Sequence, residues 1–156
     1  MKKLIIFFIS AFLLAGCVVK AQIKESPEMR RGTVEEQKLV AKASGTFLEK
    51  LDKGKIDETW ETVSPLLQQS LNQKNWFTTL HQMRDAVGMV KHRKIVAIAF
   101  MNTVDDAPVG EYAMLGTETH FQNLSANERV ALHNDQGTWK IMGYFIEKTY
   151  KLKLKP

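Results

Sequence analysis

Arg84-Asp85-Ala86-Val87-Gly88-Met89-Val90-Lys91-His92-Arg93-Lys94-Ile95-Val96 is the stretch on which the fold turns, because the spacing of apolar residues changes within it. Upstream, Trp76, Leu80, Met83 and Val87 recur every three or four residues, the signature of one helix face. Asn75 is the expected cap of that helix and Gly88 its stop. Downstream the period is two, and segments 94–102, 109–121, 128–134 and 138–150 read as strands. Asp105-Asp106-Ala107-Pro108, Asn123-Leu124-Ser125-Ala126 and Asn134-Asp135-Gln136-Gly137 supply the turns. Links this short allow antiparallel hairpins and no parallel crossover.

Working back toward the N-terminus, Thr33-Val34-Glu35-Glu36 forms a capping box. Leu39, Val40, Ala43, Phe47, Leu48 and Leu51 follow it as one apolar stripe, stopped by Asp52-Lys53-Gly54. Segment 56–63 reads as a short second helix carrying Trp60. Ser64-Pro65 breaks it and opens a brief third helix with Leu66, Leu67 and Leu71. Helices first and a meander afterwards is the α+β order, with the N-terminal helices packed on one face of a four-stranded antiparallel sheet. A single domain is expected over 33–150, with Leu39, Phe47, Trp60, Leu80, Val87, Val130, Trp139 and Ile141 mostly buried.

The 156 residues are 44% hydrophobic and 25% charged, which suits one globular domain and argues against disorder. A single Cys excludes an internal disulfide and any zinc site built on several thiolates. Segment 1–16 is the address. Met1-Lys2-Lys3 is a positive head, and 4–15 is apolar except for Ser10. That run is shorter than the ~20 residues a span requires, so it reads as a cleaved export signal.

Leu14-Ala15-Gly16-Cys17 resembles the bacterial lipobox, which implies a lipoprotein signal peptide and a membrane lipid attached through Cys17. Ordinary cleavage after Ala21, with Val19 and Ala21 at the small-residue sites, is the other reading. Val18 stands in place of an Asp, and the resemblance to the usual lipoprotein sorting rule implies the outer membrane, periplasmic face, if the host has two membranes. Segment 17–32 is polar and reads as a tether, and 151–156 as a basic tail. Loss of Lys2 and Lys3 lowers the formal charge from +5 to +3. Export makes nucleic acid a poor partner despite the sequence pI near 9.3. Neither Gly-x-x-x-x-Gly-Lys-Ser/Thr nor Gly-x-Gly-x-x-Gly occurs, and no cofactor is expected.

Gly110-Glu111-Tyr112, Phe121-Gln122-Asn123, Glu128, Gly137-Thr138-Trp139-Lys140-Ile141 and Gly143-Tyr144 follow Trp60, Trp76, Arg84-Asp85-Ala86-Val87-Gly88 and Arg93. This order and spacing resemble the bacterial family called domain of unknown function 4019, over about 35–148. The resemblance implies a cystatin-like or nuclear-transport-factor-2-like (NTF2-like) shape: a curved antiparallel sheet wrapped on helices, often around a conical pocket. It supplies a shape and no chemistry.

Arg84, Glu111, Glu128 and Tyr144 are the polar positions within that pattern. Helical geometry puts Arg84 beside Leu80 on the inward side, where a guanidinium needs an acceptor. Glu128 is the first candidate and Glu111 the second, while Asp85 points away. Two readings stay open: an ion pair tying the last helix to the sheet, completed by the Tyr144 hydroxyl, or the polar floor of a pocket. Trp60, Trp76 and Trp139 read as core anchors.

His81, His92, His120 and His133 are the candidate metal ligands. A hairpin centred near Leu124 separates His120 from His133 by roughly 16 Å, too far to share an ion. Glu118, His120 and Glu128 share a face in one register only, so no metal is expected. Lys91-His92-Arg93-Lys94 and the basic tail are either solvated or in contact with anionic lipid head groups.

No Ser-His-Asp order, Gly-x-Ser-x-Gly elbow or Cys nucleophile is available. The favoured function is a membrane-anchored, non-enzymatic binding module of the cell envelope, contacting an envelope protein or a small apolar ligand. The alternative implied by the fold is a small-ligand carrier or a pocket enzyme of the ketosteroid-isomerase or dehydratase type. Its base would be Glu128 and its hydrogen-bond donor Tyr144.

Overall fold

The computed structural model describes residues 28–149. Thr33 opens helix α1 (Val34–Asp52): its hydroxyl accepts from the Glu36 N–H, and the Glu36 carboxylate accepts from the Thr33 N–H at 2.6 Å. A 3₁₀ helix (Ile56–Thr62) follows. Ser64 then caps α2 (Pro65–Ser70), with Pro65 in the first turn where its missing N–H does no harm. Helix α3 (Gln73–Val87) is capped by Asn72 rather than Asn75. Asn72 Oδ1 accepts from the Asn75 N–H at 2.9 Å, so the residue expected as the cap is the donor that the cap holds.

Gly88 ends α3 with φ of +76°, and the chain turns at once into the sheet. Strands β1 (Val90–Met101), β2 (Tyr112–Phe121), β3 (Ser125–Asp135) and β4 (Thr138–Lys148) form an antiparallel meander in the order β1-β2-β3-β4. This is the expected α+β architecture, although β1 and β3 begin earlier than the expected 94 and 128, and β2 later than 109. The β2–β3 turn is also tighter than expected. Phe121 N–H bonds Leu124 O at 2.8 Å and His120 faces Ser125, which moves every cross-strand partner from a register centred on Leu124. Gln136 and Gly137 both take positive φ, the condition for a two-residue turn that follows strand twist, and join β3 to β4.

The helices cover one sheet face. Val40, Phe47, Leu48 and Leu51 of α1 and Trp76 and Leu80 of α3 pack on Leu115, Val130, Leu132 and Ile141. Val87 joins Phe121 and Ala126 in a second cluster at the α3–β1 corner. Leu39, expected in the core, is 46% exposed. The buried stripe runs through Val40, Ser44, Phe47, Leu48 and Leu51, and Leu39 falls one position to its side. There it lines a surface groove with Trp139, which, like Trp60, is partly buried and packs against the core. Trp76 is buried, and its indole N–H donates to Thr59 Oγ1 at 2.9 Å.

Order extends into the segment read as a tether. Arg30 exchanges two 2.9 Å backbone hydrogen bonds with Phe100 and holds its guanidinium 5.0 Å above that ring. Gly32 lies at φ +72°, and a Cβ there would stand 2.4 Å from the Phe100 ring. The signal segment, Cys17 and the basic tail lie outside the described residues. Among the described residues, no helix is long and apolar enough to cross a membrane.

Candidate functional site

Strand alternation turns Ala126, Glu128, Val130 and Leu132 of β3 toward the helices. Glu128 thereby carries a carboxylate into the interior, at 0% exposure. A lone charge there would cost several kcal/mol, and the sequence surrounds it with donors. Oε1 accepts from the Tyr144 hydroxyl at 2.5 Å and from Arg93 Nη2 at 3.1 Å. Oε2 accepts from Arg93 Nε at 2.6 Å, from Thr117 Oγ1 at 3.3 Å and from Thr119 Oγ1. Register explains the grouping: Arg93 pairs with Thr119, Thr117 with Glu128, and Tyr144 with the neighbouring Val130.

The cluster continues into the helices. Arg93 gives its Nη1 and Nη2 to the Asp52 carboxylate at the end of α1, at 2.6 and 3.1 Å. Asp52 Oδ1 also accepts from Arg84 Nη2 of α3 at 3.1 Å. Arg84, Asp52, Arg93, Glu128 and Tyr144 therefore form one line across α3, α1, β1, β3 and β4, with two guanidiniums facing two carboxylates.

Burial alone would raise the Glu128 carboxyl, but the Arg93 hydrogen bonds and charge, helped by Thr119 and Tyr144, outweigh it and hold the carboxyl below the usual range. Burial opposes the charge on Arg93, and Asp52 and Glu128 more than offset that, so its pKa is raised. Burial and then the Glu128 charge raise the Tyr144 phenol, against the opposing pull of Arg84.

Of the four polar positions singled out in the sequence, Arg84, Glu128 and Tyr144 meet in this line. Glu111 does not. Its carboxylate and carbonyl both accept from Asn134, next to the β3–β4 turn. Arg84 pairs with Asp52 instead of Glu128, and its guanidinium carbon lies 5.4 Å over the Phe121 ring.

Sequence reasoning does not assign Arg93, Asp52, Thr117 and Thr119 to the site. Arg93 stands in a basic run, yet it turns inward while Lys91, His92 and Lys94 are more open to solvent. The alternation of Thr117, Thr119 and Phe121 is the available signal for a polar stretch on the inner face.

The histidines lie elsewhere. His92 and His120 face each other across β1 and β2 with rings 6.2 Å apart. His133 Nδ1 lies 3.1 Å from Ser64 Oγ, and His81 is exposed on α3. Glu118 and His120 are exposed, whereas Glu128 is buried on the opposite face.

Beside the cluster, a groove of about 390 Å³ opens between α1 and the β1–β2 side of the sheet. Leu48, Ile95 and Leu115 wall it, and Asp52 and Arg93 close one end; Glu128 and Tyr144 are not part of its lining.

Fold and site together define a small α+β domain whose helices cover one face of an antiparallel meander and whose charges are turned inward to join the layers. The chain belongs to the family described as "Protein of unknown function (DUF4019)", whose model matches residues 43–144. The match falls within the 35–148 expected from the resemblance. Among solved structures, the 1.8 Å structure of Aln2 from a Streptomyces species is similar over 76% of this chain and 94% of that one, at 10% identity and a TM-score of 0.49. No curated protein sequence matches the chain.

Proposed function

We propose that the protein is an exported lipoprotein, held at the cell envelope by a lipid on Cys17, whose α+β domain acts as a non-catalytic binding module. The observation that carries the non-catalytic reading is the closure of Glu128. A general base needs an accessible lone pair and a pKa raised toward neutrality. Glu128 instead receives five hydrogen bonds from Tyr144, Arg93, Thr117 and Thr119. Its carboxyl is also held low, against burial, by Arg93. The donor that an isomerase-like mechanism would aim at substrate, Tyr144, is already committed to that carboxylate. The base and donor named for the pocket-enzyme alternative are thus engaged with each other.

The address rests on Leu14-Ala15-Gly16-Cys17, where the one thiol of the chain stands at the position that lipid transfer requires. Val18 favours the outer membrane, periplasmic face, where the host has two. Each buried methylene contributes about 0.8 kcal/mol, so several acyl chains hold a domain of this size firmly. Labelled palmitate added to cells producing the full chain tests the reading. Incorporation and membrane retention are expected for the wild type and should both be lost in Cys17→Ser. Equal labelling of the two would overturn it.

A further inference from the structure

Register brings two imidazoles together on the sheet face turned away from the helices. His92 of β1 and His120 of β2 are direct cross-strand partners. Both are exposed, with rings 6.2 Å apart and inclined by 25°. The bulge after Val90 makes this pairing. Val90 faces Phe121 and His92 faces His120, so Lys91 is the extra residue; without the bulge Lys91 would stand opposite His120. Bulges re-aim side chains in this way and recur beside functional sites. Packing alone gives no reason for the pair, because β-branched or larger aromatic side chains suit an open cross-strand position better.

The separation suits a shared ion. A metal–nitrogen bond of about 2.0–2.1 Å puts an ion roughly 3.2 Å from each ring centre, so rings that share one lie at most about 6.4 Å apart. The 6.2 Å here falls inside that limit, and turning two exposed side chains slightly brings the rings to the roughly 5.2 Å of a tetrahedral site. His120 Nδ1 lies 2.8 Å from Ser125 Oγ. With an ion on Nε2, Nδ1 keeps its proton and donates to that hydroxyl, the outer hydrogen bond that orients a ligating imidazole. Lys94 stands opposite Glu118, so a carboxylate two residues from His120 balances the neighbouring positive charge. Among the described residues, no group of three or more His, Cys, Asp or Glu could hold a metal. The pair is therefore a two-point chelate, with water in the remaining positions.

We propose that His92 and His120 chelate one nitrogen-preferring divalent transition-metal ion, Cu²⁺, Ni²⁺ or Zn²⁺, and so clamp β1 to β2. The site lies on the opposite sheet face from the Glu128 cluster and does not depend on a lipid at Cys17.

The test titrates the full chain in detergent with Ni²⁺, which thiols do not reduce, and with Mg²⁺, which prefers oxygen ligands. Wild type is expected to bind one Ni²⁺ saturably and to ignore Mg²⁺. His92→Gln and His120→Gln should each weaken Ni²⁺ binding more than about 10-fold, because each removes half of the chelate. His81→Gln, at an exposed position on α3, should bind as wild type does. The two imidazoles meet only in the folded chain, so Ni²⁺ at 100 times its Kd should raise the wild-type melting temperature by at least about 5 °C. The same Ni²⁺ should leave His92→Gln unmoved. Four results would each overturn the proposal: no saturable Ni²⁺ binding by folded wild type, loss in only one of the two pair variants, an equal loss in His81→Gln, or an equal thermal shift in His92→Gln.

Discussion

Arg93 and Glu128 bring opposite charges to a place where neither is stable alone. The guanidinium is 16% exposed and the carboxylate 0%, so removing Arg93 leaves Glu128 a buried charge held by hydroxyl groups alone. Arg93→Met is expected to cost about 3–5 kcal/mol, and Arg93→Met with Glu128→Gln to recover most of it. Urea unfolding of the two single variants and the double gives the coupling directly. A coupling below about 1 kcal/mol would mean that the pair is not what joins β1 to β3. Arg84→Met should be milder than Arg93→Met, because Asp52 keeps its two bonds from Arg93.

The same groups set the pH response. The folded Glu128 pKa lies below its unfolded value, so its contribution is complete above the ordinary carboxylate pKa of about 4.3 and is lost as pH falls through the folded value. Tyr144 behaves oppositely. Its folded pKa is raised, so its contribution is complete below about pH 10 and is lost as pH climbs above that. Urea midpoints of Glu128→Gln should therefore fall less steeply than wild type below pH 4, and those of Tyr144→Phe less steeply above pH 10.

At the level of elements, the caps separate what was legible from what was not. Thr33-x-x-Glu36, Ser64-Pro65 and Gly88 could be read directly because their chemistry is local. Asn72 and Asn75 lie three apart, and either can cap a helix, so the choice depended on where α2 ends. Asn72→Ala should cost about 1 kcal/mol and Asn75→Ala clearly less, measured by thermal unfolding.

Strand identity was legible from period two, but register was not. A two-residue turn at Gln122-Asn123 and a β1 that begins at Val90 both set partners other than those expected. Arg93 was hidden for the same reason. With β1 begun at 94 it belonged to no strand, and the irregularity between Ile95 and Ala97 interrupts the alternation that would have assigned its face. Asp52 looked like a helix stop because its partners come from β1 and α3, far along the chain.

For the molecule as a whole, the N-terminal boundary matters most. Arg30 and Gly32 close over Phe100, which is fully buried. Gly32→Ala puts a methyl group into that ring from a left-handed backbone and should cost about 1–3 kcal/mol. Unchanged thermal unfolding of that variant would show that 28–32 contribute nothing to the domain.

β1 is an edge strand, and the Arg30 bridge touches it only at Phe100. Its open length carries exposed Ile95 and Val96, the composition that invites a neighbouring molecule's strand to add on. Two bulges, between Val90 and His92 and between Ile95 and Ala97, break the repeat of hydrogen-bonding groups along that length, and Lys91 and Lys94 charge it. Wherever copies of a chain crowd together, encounters between such edges are frequent and a regular one would zip into fibrils. The irregularities that flank Arg93 thus also deny a neighbouring strand a regular edge to extend.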